Sequence, residues 1–191
     1  RGVVGQRLDQ WRPGTAYRES YSARSASGGG ALFDLIHEID LALWLAGPVD
    51  SVLADLRQVG SLGIEADDLV NLVLSTASGA AGQIQLDMVS PVYRRSFDVI
   101  TETAIFEWNY TSGAVSRKAA GTETFMHAPL EGFERNSLFL THMNHFLLRI
   151  GAAGTPPMCS LEDGIAALEV ALCARRAAES GHRTSVERIA A

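Results

Sequence analysis

Asp34, His37 and Asp40 follow one another at intervals of three residues within GGGALFDLIHEIDLALWLAG, residues 28–47. Residues three apart are neighbours on a helix, so each carboxylate is expected to reach the imidazole. A carboxylate beside an imidazole fixes its tautomer and favours its charged form, as a general acid or base near neutral pH requires. The same spacing is also typical of a structural hydrogen bond or a helix-dipole partner, so both interpretations stay open.

The element that must position these groups is a helix predicted over residues 31–46. Three glycines precede it, and Gly47-Pro48 supplies a left-handed stop followed by a residue that cannot continue a helix. At ~100° per residue the ionisable groups share a side with Trp44, while the apolar side chains form an arc that faces a core. This arc consists of Leu32, Leu35, Ile36, Ile39 and Leu43. An ionisable stripe beside large apolar side chains indicates the wall of a cleft.

A second group of candidates lies in residues 9–27, which lack apolar periodicity and are predicted to form a long irregular loop. Its aromatic and cationic side chains suit a lid or a polyol-binding rim. The alternative is that Trp11 and Tyr17 hold the loop against the body of the domain. The predicted substrate-binding residues are Asp40, Trp11, Arg12, Tyr17, Tyr21 and Arg95.

Composition excludes several classes of function. The chain has 191 residues, 47% of them hydrophobic and 20% charged, which is ordinary for one globular domain. Its net charge of −6 argues against binding to nucleic acid or to an anionic membrane. It contains no apolar run of ~20 residues that would span a membrane. Cys159 and Cys173 lack metal-ligand spacing, so they are expected to be reduced, buried thiols of a cytoplasmic protein.

The rest of the chain predicts an α+β fold, with a largely antiparallel open β-sheet and helices on one face. Residues 49–116 contain five or six strand signals joined by short turns, with no helix between them. Residues 83–88 alternate polar and apolar side chains, as a strand with one buried face does. Two helices, over residues 134–150 and 160–180, close the chain, and Ser160 with Asp163 forms a near capping box for the second. His142 and His145 have no third ligand nearby, so no metal is expected.

The glycine run, the helix with Asp and His, and the continuation H-x-x-D-x-x-x-W-L resemble the C-terminal domain of the Gfo/Idh/MocA family of oxidoreductases. The upstream segment W-R-P-G…Y-R…Y and residues 154–181 extend the resemblance over most of the chain. In the commoner family pattern the Asp precedes the His by four residues. Here Asp34 precedes His37 by three.

The resemblance implies an NAD(P)-dependent oxidoreductase that acts on a hydroxyl of a sugar, a sugar derivative or a cyclitol. It implies His37 and Asp34 as catalytic residues, with a lysine of the N-terminal nucleotide-binding domain sharing the proton transfer. Members of the family commonly pair their open sheet faces, which implies a homodimer or homotetramer.

Residues 1–191 contain no strand followed by a G-x-G-x-x-G turn and a helix. We therefore interpret them as a single substrate-binding and oligomerisation domain, whose NAD or NADP is bound by an N-terminal Rossmann domain absent from this chain. The chain by itself is expected to be inactive and not to bind the cofactor. Two alternatives stay open: a non-catalytic ligand-binding or dimerisation module, and a metal hydrolase that uses His37, Asp34 and Asp40.

Overall fold

The computed structural model describes residues 1–11, 13–122, 126–128, 132, 134–151 and 157–188. The helices in this part of the chain are α1 Leu8–Trp11, α2 Ala31–Asp34, α3 His37–Ala46, α4 Arg135–Gly151 and α5 Leu161–Ser180. The strands are β1 Gly2–Gly5, β2 Val49–Arg57, β3 Leu69–Thr76, β4 Ala81–Asp87, β5 Arg94–Ile100, β6 Ala104–Asn109, β7 Ala114–Ala119, β8 Met126–Ala128 and β9 Thr184–Ser185.

These strands form one open sheet in the order β8-β7-β6-β5-β1-β4-β3-β2-β9. Strand β1 pairs in parallel with β4 and antiparallel with β5, so it lies between the two meanders of the sheet. The other neighbouring strands are antiparallel. Short turns join β3 to β4, β5 to β6 and β6 to β7, as the sequence predicts, whereas a longer loop, residues 58–68, joins β2 to β3. The predicted α+β class is therefore confirmed.

The core lies between one face of this sheet and the helices. Along β4, Ile84 and Leu86 are buried, whereas Gln83 is exposed on the opposite face, as the alternation predicts. Helix α5 packs on β2, where Val170 and Ala174 are fully buried. We call the opposite side of the sheet the helix-free face.

The predicted helix over residues 31–46 is wrong in one respect, because it is divided into α2 and α3. Gly30 begins it with a φ of 102°, and Asp67 satisfies the first backbone donors by accepting from Ala31 N through its carbonyl and from Leu32 N through its carboxylate. At Leu35, φ is −107° and ψ is 22°, outside the helical range. The next amides bond three residues back, as Glu38 N does to Leu35 O at 3.2 Å. The chain then resumes as α3 with His37 as its first residue.

The two C-terminal helices differ in their environment. Helix α5 begins with the predicted capping box between Ser160 and Asp163 and ends at Gly181 in a left-handed conformation. Helix α4 also lies where it was predicted, but its apolar arc is exposed in this chain. The exposed arc comprises Leu138, Phe139, Met143, Phe146, Leu147 and Ile150. In the described part of the chain, no helix is long and apolar enough to cross a lipid bilayer.

Three smaller predictions need correction. Residues 9–27 are not wholly irregular, because α1 ends within them and three 3-10 turns follow, at Tyr17–Glu19, Tyr21–Ala23 and Ser25–Ser27. Strand β8 lies outside residues 49–116, where the strands were predicted, and pairs with β7. Both cysteines are free, but only Cys173 is buried as expected, whereas Cys159 is exposed.

Candidate functional site

The break between α2 and α3 places His37 at the start of a helix, with its side chain 42% exposed. The carboxylate that the structure records beside the imidazole belongs to Glu38, whose Oε1 lies 3.4 Å from His37 Nε2. Asp34 is the last residue of α2 and is separated from His37 by the break, so the two do not share the continuous helix on which their predicted contact depended. The sequence did not indicate Glu38 as the carboxylate beside this histidine, and a catalytic role for His37 stays a prediction.

Glu38 is fully buried, and its side chain holds an arginine from the sheet. Arg95, near the start of β5, donates its Nε–H to Glu38 Oε1. Within the described residues, Glu38 Oε2 is buried without a hydrogen-bond partner. Burial raises the pKa of Glu38, and the guanidinium of Arg95 opposes this rise through its charge and its hydrogen bond. The two residues therefore form an ion pair beside the imidazole, in which, among the described residues, one carboxylate oxygen of Glu38 is hydrogen-bonded and the other is not.

The electrostatic environment of His37 differs from the sequence-based expectation. Burial first, and the positive charge of Arg95 second, lower the pKa of His37 to about 4. The expectation that a neighbouring carboxylate favours the imidazolium is therefore wrong, because desolvation and a cation outweigh Glu38. At neutral pH the ring is neutral, with one nitrogen donor and one nitrogen acceptor.

Aromatic rings on β6 and beside the ends of β5 and β6 lie around Arg95 on the helix-bearing face. The guanidinium carbon lies 5.3 Å from the ring centre of Trp108 and 5.5 Å from that of Tyr110. Tyr93 meets the ring of Tyr110 edge to face at 5.7 Å. The predicted substrate-binding residue Arg95 thus lies in the same cluster as His37.

An open apolar groove continues from this cluster between α3 and strands β5 to β7. Its volume is about 520 Å³, and Trp108 forms part of its lining. Trp44, at the other end, is 80% exposed. The groove is lined by Leu41, Trp44, Leu45, Phe97, Val99, Phe106, Glu107, Trp108 and Val115. Aromatic walls beside polar groups are typical of small-molecule sites.

Asp40 lies in a different cavity from this groove, although Trp44 borders both. Its cavity of about 510 Å³ is also lined by Cys159 and Asp163. Burial raises the pKa of Asp40, and the charge of Asp163 adds to the rise. The charged group near Asp40 is thus the carboxylate of Asp163 on α5, whereas the sequence predicted the imidazole of His37 as its neighbour.

The predicted rim residues occupy varied positions. Trp11 and Tyr17 pack partly buried against the core, and the Tyr17 hydroxyl donates to Leu62 O at 2.9 Å. These contacts are those of the alternative interpretation, in which both side chains hold the loop against the domain. Tyr21 is 49% exposed, and Arg12 lies outside the described residues. A binding role for these four residues stays a prediction.

The geometry offers little for a metal or for a dinucleotide. Among the described residues, no three His, Cys, Asp or Glu side chains converge as a metal site would require. The single parallel strand pair in that part of the chain, β1 with β4, is not followed by the glycine-rich turn and helix that receive a pyrophosphate. The described residues therefore do not fit a nicotinamide dinucleotide by themselves.

Sequence reasoning missed Glu38, Trp108 and Tyr110. One signal for Glu38 was available, because this charged residue lies directly between His37 and the apolar Ile39. The strand containing Trp108 was predicted, but only its register with β5 shows that this ring shares a face with Arg95.

Comparison with known proteins now decides the family. A model of the GFO/IDH/MocA C-terminal domain matches residues 2–107, more than half of the chain. The chain belongs to the GFO/IDH/MocA family. No curated protein matches this chain in sequence.

Several solved structures share the fold of this chain. Levoglucosan dehydrogenase in complex with NADH has a TM-score of 0.83 at 20% identity, over 98% of this chain and 58% of that one. An NAD-binding oxidoreductase from Klebsiella pneumoniae has a TM-score of 0.82 at 15% identity, with coverages of 98% and 58%. The WlbA dehydrogenase from Bordetella pertussis, in complex with NADH and UDP-GlcNAcA, has a TM-score of 0.71 at 22% identity, with coverages of 97% and 55%. At these identities the likeness shows the fold, and the chain spans less than two thirds of each of these proteins.

Proposed function

We propose that this chain is the substrate-binding domain of a nicotinamide-dependent oxidoreductase that acts on a hydroxyl of a sugar, a sugar derivative or a cyclitol. The observation that carries the proposal is the meeting of a neutral imidazole, an arginine and two aromatic rings at His37, Arg95, Trp108 and Tyr110. The ligands of one solved relative support the substrate class, since levoglucosan dehydrogenase was solved with levoglucosan and with L-sorbose.

In this proposal each group of the cleft has a distinct task. The neutral imidazole of His37 accepts a hydrogen bond from the reacting hydroxyl and orients it. Because burial first and Arg95 second disfavour the imidazolium, a further group must share the proton, as the lysine of the nucleotide-binding domain would. The rings of Trp108 and Tyr110 offer apolar surface to the carbon–hydrogen faces of a sugar. Asp34 remains a proposed partner in orienting the substrate.

The cofactor belongs to another part of the protein in this proposal. Two of the relatives described above were solved in complex with NADH, and this chain spans 58% and 55% of their lengths. We therefore assign the binding of NAD or NADP to a separate nucleotide-binding domain. The nicotinamide would accept the hydride from the carbon that bears the hydroxyl. We place the protein in the cytoplasm, where its two free cysteines would stay reduced.

We also propose that the domain forms a homodimer or homotetramer through the helix-free face. Among the residues that the structure describes on that face, the exposed apolar side chains include Leu53, Ile100 and Ile105. Polar residues such as Gln83 lie among them, which is compatible with an interface because protein interfaces are mixed in polarity.

The test is an assay of the full-length polypeptide that contains residues 1–191. It is incubated with NAD or NADP and a panel of aldoses, ketoses, uronates and cyclitols, and the formation of NADH or NADPH is recorded. We expect oxidation of at least one of these classes, with loss of that activity in His37→Asn. If the polypeptide binds a sugar but reduces neither cofactor with any of them, the chain is a non-catalytic ligand-binding module.

A further inference from the structure

We infer that the substrate carries an anionic group, a carboxylate or a phosphate, and that Arg95 binds this group through its two terminal nitrogens. The inference rests on the proposed function, because it identifies the substrate class of the same cleft. It is carried by the way Glu38 and the aromatic rings hold the guanidinium.

The ion pair uses only part of Arg95. Glu38 accepts from Nε, and within the described residues no other hydrogen bond of this side chain is recorded. The edge formed by Nη1 and Nη2, which is the edge that binds carboxylate and phosphate in bidentate fashion, is left without a recorded acceptor. The side chain is 21% exposed, and its terminal nitrogens are not among the buried polar atoms of the described residues that lack a partner. These donors are therefore open to solvent, where an anionic ligand can reach them.

The surrounding groups fix the guanidinium before any ligand arrives. The contacts of Arg95 with Trp108 and Tyr110, given above, restrict the plane of the guanidinium, and Glu38 restricts its Nε edge. Little side-chain entropy is then lost when an anion binds, which favours affinity. A purely structural arginine would be expected to pair both of its edges with protein groups.

A second arginine lies near the aromatic rings beside Arg95. Burial raises the pKa of Tyr93, and the positive charges of Arg95 and of Arg135, at the start of α4, oppose this rise. The neighbouring arginine in sequence is employed elsewhere, because Arg94 Nη2 lies 3.3 Å from the buried carboxylate of Asp87. Arg95 is therefore the cation that the cleft offers to a ligand, and Arg94 provides a matched control for the removal of one charge.

The experiment measures binding to the 191-residue chain by NMR titration, following the histidine ring and tryptophan indole resonances. The probes are D-glucose, D-glucuronate and D-glucose 6-phosphate, with acetate and inorganic phosphate as anions without a sugar. We expect an anionic sugar to bind at least about tenfold more tightly than glucose, which corresponds to ~1.4 kcal/mol. Preference for glucuronate identifies a carboxylate as the group, and preference for glucose 6-phosphate identifies a phosphate.

Three variants assign the preference to Arg95. In Arg95→Gln the anionic sugar should lose its advantage over glucose, whereas Arg94→Gln should keep it. Arg95→Lys, which retains the charge without the planar fork, should restore only part of it. Thermal unfolding of each variant shows whether the comparison is made between folded proteins. If Arg95→Gln does not fold, Arg95→Lys and Arg94→Gln still make the comparison.

The outcomes separate this inference from the proposed function. If glucose binds as tightly as both anionic sugars, or Arg95→Gln keeps the preference, the anionic substrate is wrong and the sugar-binding proposal stands. If acetate or phosphate binds at Arg95 but no sugar shifts His37 or Trp108, the sugar function fails while the anion site stands. If no probe binds at concentrations of about ten millimolar, both are wrong.

Discussion

Arg95 donates its Nε–H to Oε1 of Glu38, and this bond joins β5 to the first turn of α3 across 57 positions of sequence. Because Glu38 directly follows His37, the bond also restrains the imidazole relative to the sheet. A buried carboxylate thus connects the candidate catalytic residue with the candidate binding residue.

Removal of Glu38 should therefore destabilise the fold. In Glu38→Ala the half-buried guanidinium of Arg95 loses its counter-ion, and breaking such a pair typically costs about 3–5 kcal/mol. In Glu38→Gln the amide oxygen still accepts from Nε, so the loss should be clearly smaller. Urea unfolding measures both free energies, and Glu107→Ala, at an exposed position on β6, is the control, expected to lie within about 0.5 kcal/mol of the parent. Equal losses in Ala and Gln would show that the negative charge of Glu38, and not its role as a hydrogen-bond acceptor, stabilises the fold at this position.

The stability contributed by His37 should depend on pH with a defined sign. Its pKa is about 4 in the folded chain, below the ordinary 6.5, so the unfolded chain binds more protons between these values. The contribution of His37 to the free energy of unfolding is therefore complete above the ordinary pKa of 6.5. It is lost as the pH falls toward the pKa of about 4 that His37 has in the folded chain. Parent and His37→Asn are compared by urea unfolding from about pH 7.5 to 5, and the parent should lose stability relative to the variant.

The parent is compared with His37→Asn because other titratable groups change the free energy of unfolding with pH in the opposite direction. Burial raises the pKa of Glu38, Asp40 and Asp67, so their ionisation weakens the fold as the pH rises. These contributions are common to both proteins and largely cancel in the difference. His142→Asn, on the exposed helix α4, is the control for the loss of a histidine. A difference between parent and His37→Asn that does not change with pH would contradict the lowered pKa.

The sheet and its faces could be predicted from local pattern. Alternation along β4 assigned Ile84 and Leu86 to the buried face, and Ser160 with Asp163 marked the start of α5. Both signals arise from residues close in sequence, where side-chain period and capping chemistry act directly.

The candidate site was less predictable because it depends on distant contacts. No Gly or Pro lies at Leu35 or Ile36, so nothing in the pattern indicates that the helix is interrupted there. The pairing of Glu38 with Arg95 depends on how α3 lies over β5. The apolar arc of α4 predicted a helix correctly, but an arc of this kind cannot show whether the surface that it contacts belongs to the same chain.

Scaffold and site can be separated by substitutions in α3. Ile39 is fully buried, and Ile39→Ala should cost about 2–5 kcal/mol through lost burial and a residual cavity. Leu43, which the helical pattern assigned to the same core arc, is only partly buried. Leu43→Ala should therefore cost clearly less, as measured by urea unfolding. A loss at Leu43 equal to that at Ile39 would mean that the surface of α3 near Leu43 is covered by another part of the protein.

The proposed interface on the helix-free face can be tested by light scattering at micromolar concentration. We expect the parent to exceed the 20.5 kDa of a monomer, and Ile105→Lys, which introduces a charge on that face, to shift the mass toward the monomer. Val92→Lys is the control, because Val92 is 73% exposed in the turn before β5 and outside the face. A monomeric parent contradicts the interface for this chain. If Phe139→Lys dissociates the oligomer and Ile105→Lys does not, the interface lies on α4 and not on the helix-free face.

The final prediction concerns the chemistry of His37 in the full-length polypeptide. If the imidazole orients the reacting hydroxyl and takes part in its proton transfer, His37→Ala should lower kcat by roughly 10²- to 10⁴-fold. The free energy of unfolding at neutral pH should change much less, because the side chain is 42% exposed and does not belong to the core. Steady-state kinetics and urea unfolding are measured on the same preparations, with Arg94→Gln as a control outside the cleft. A kcat within a factor of about three of the parent, or a variant that does not fold, would identify His37 as a structural partner of Glu38 and Arg95.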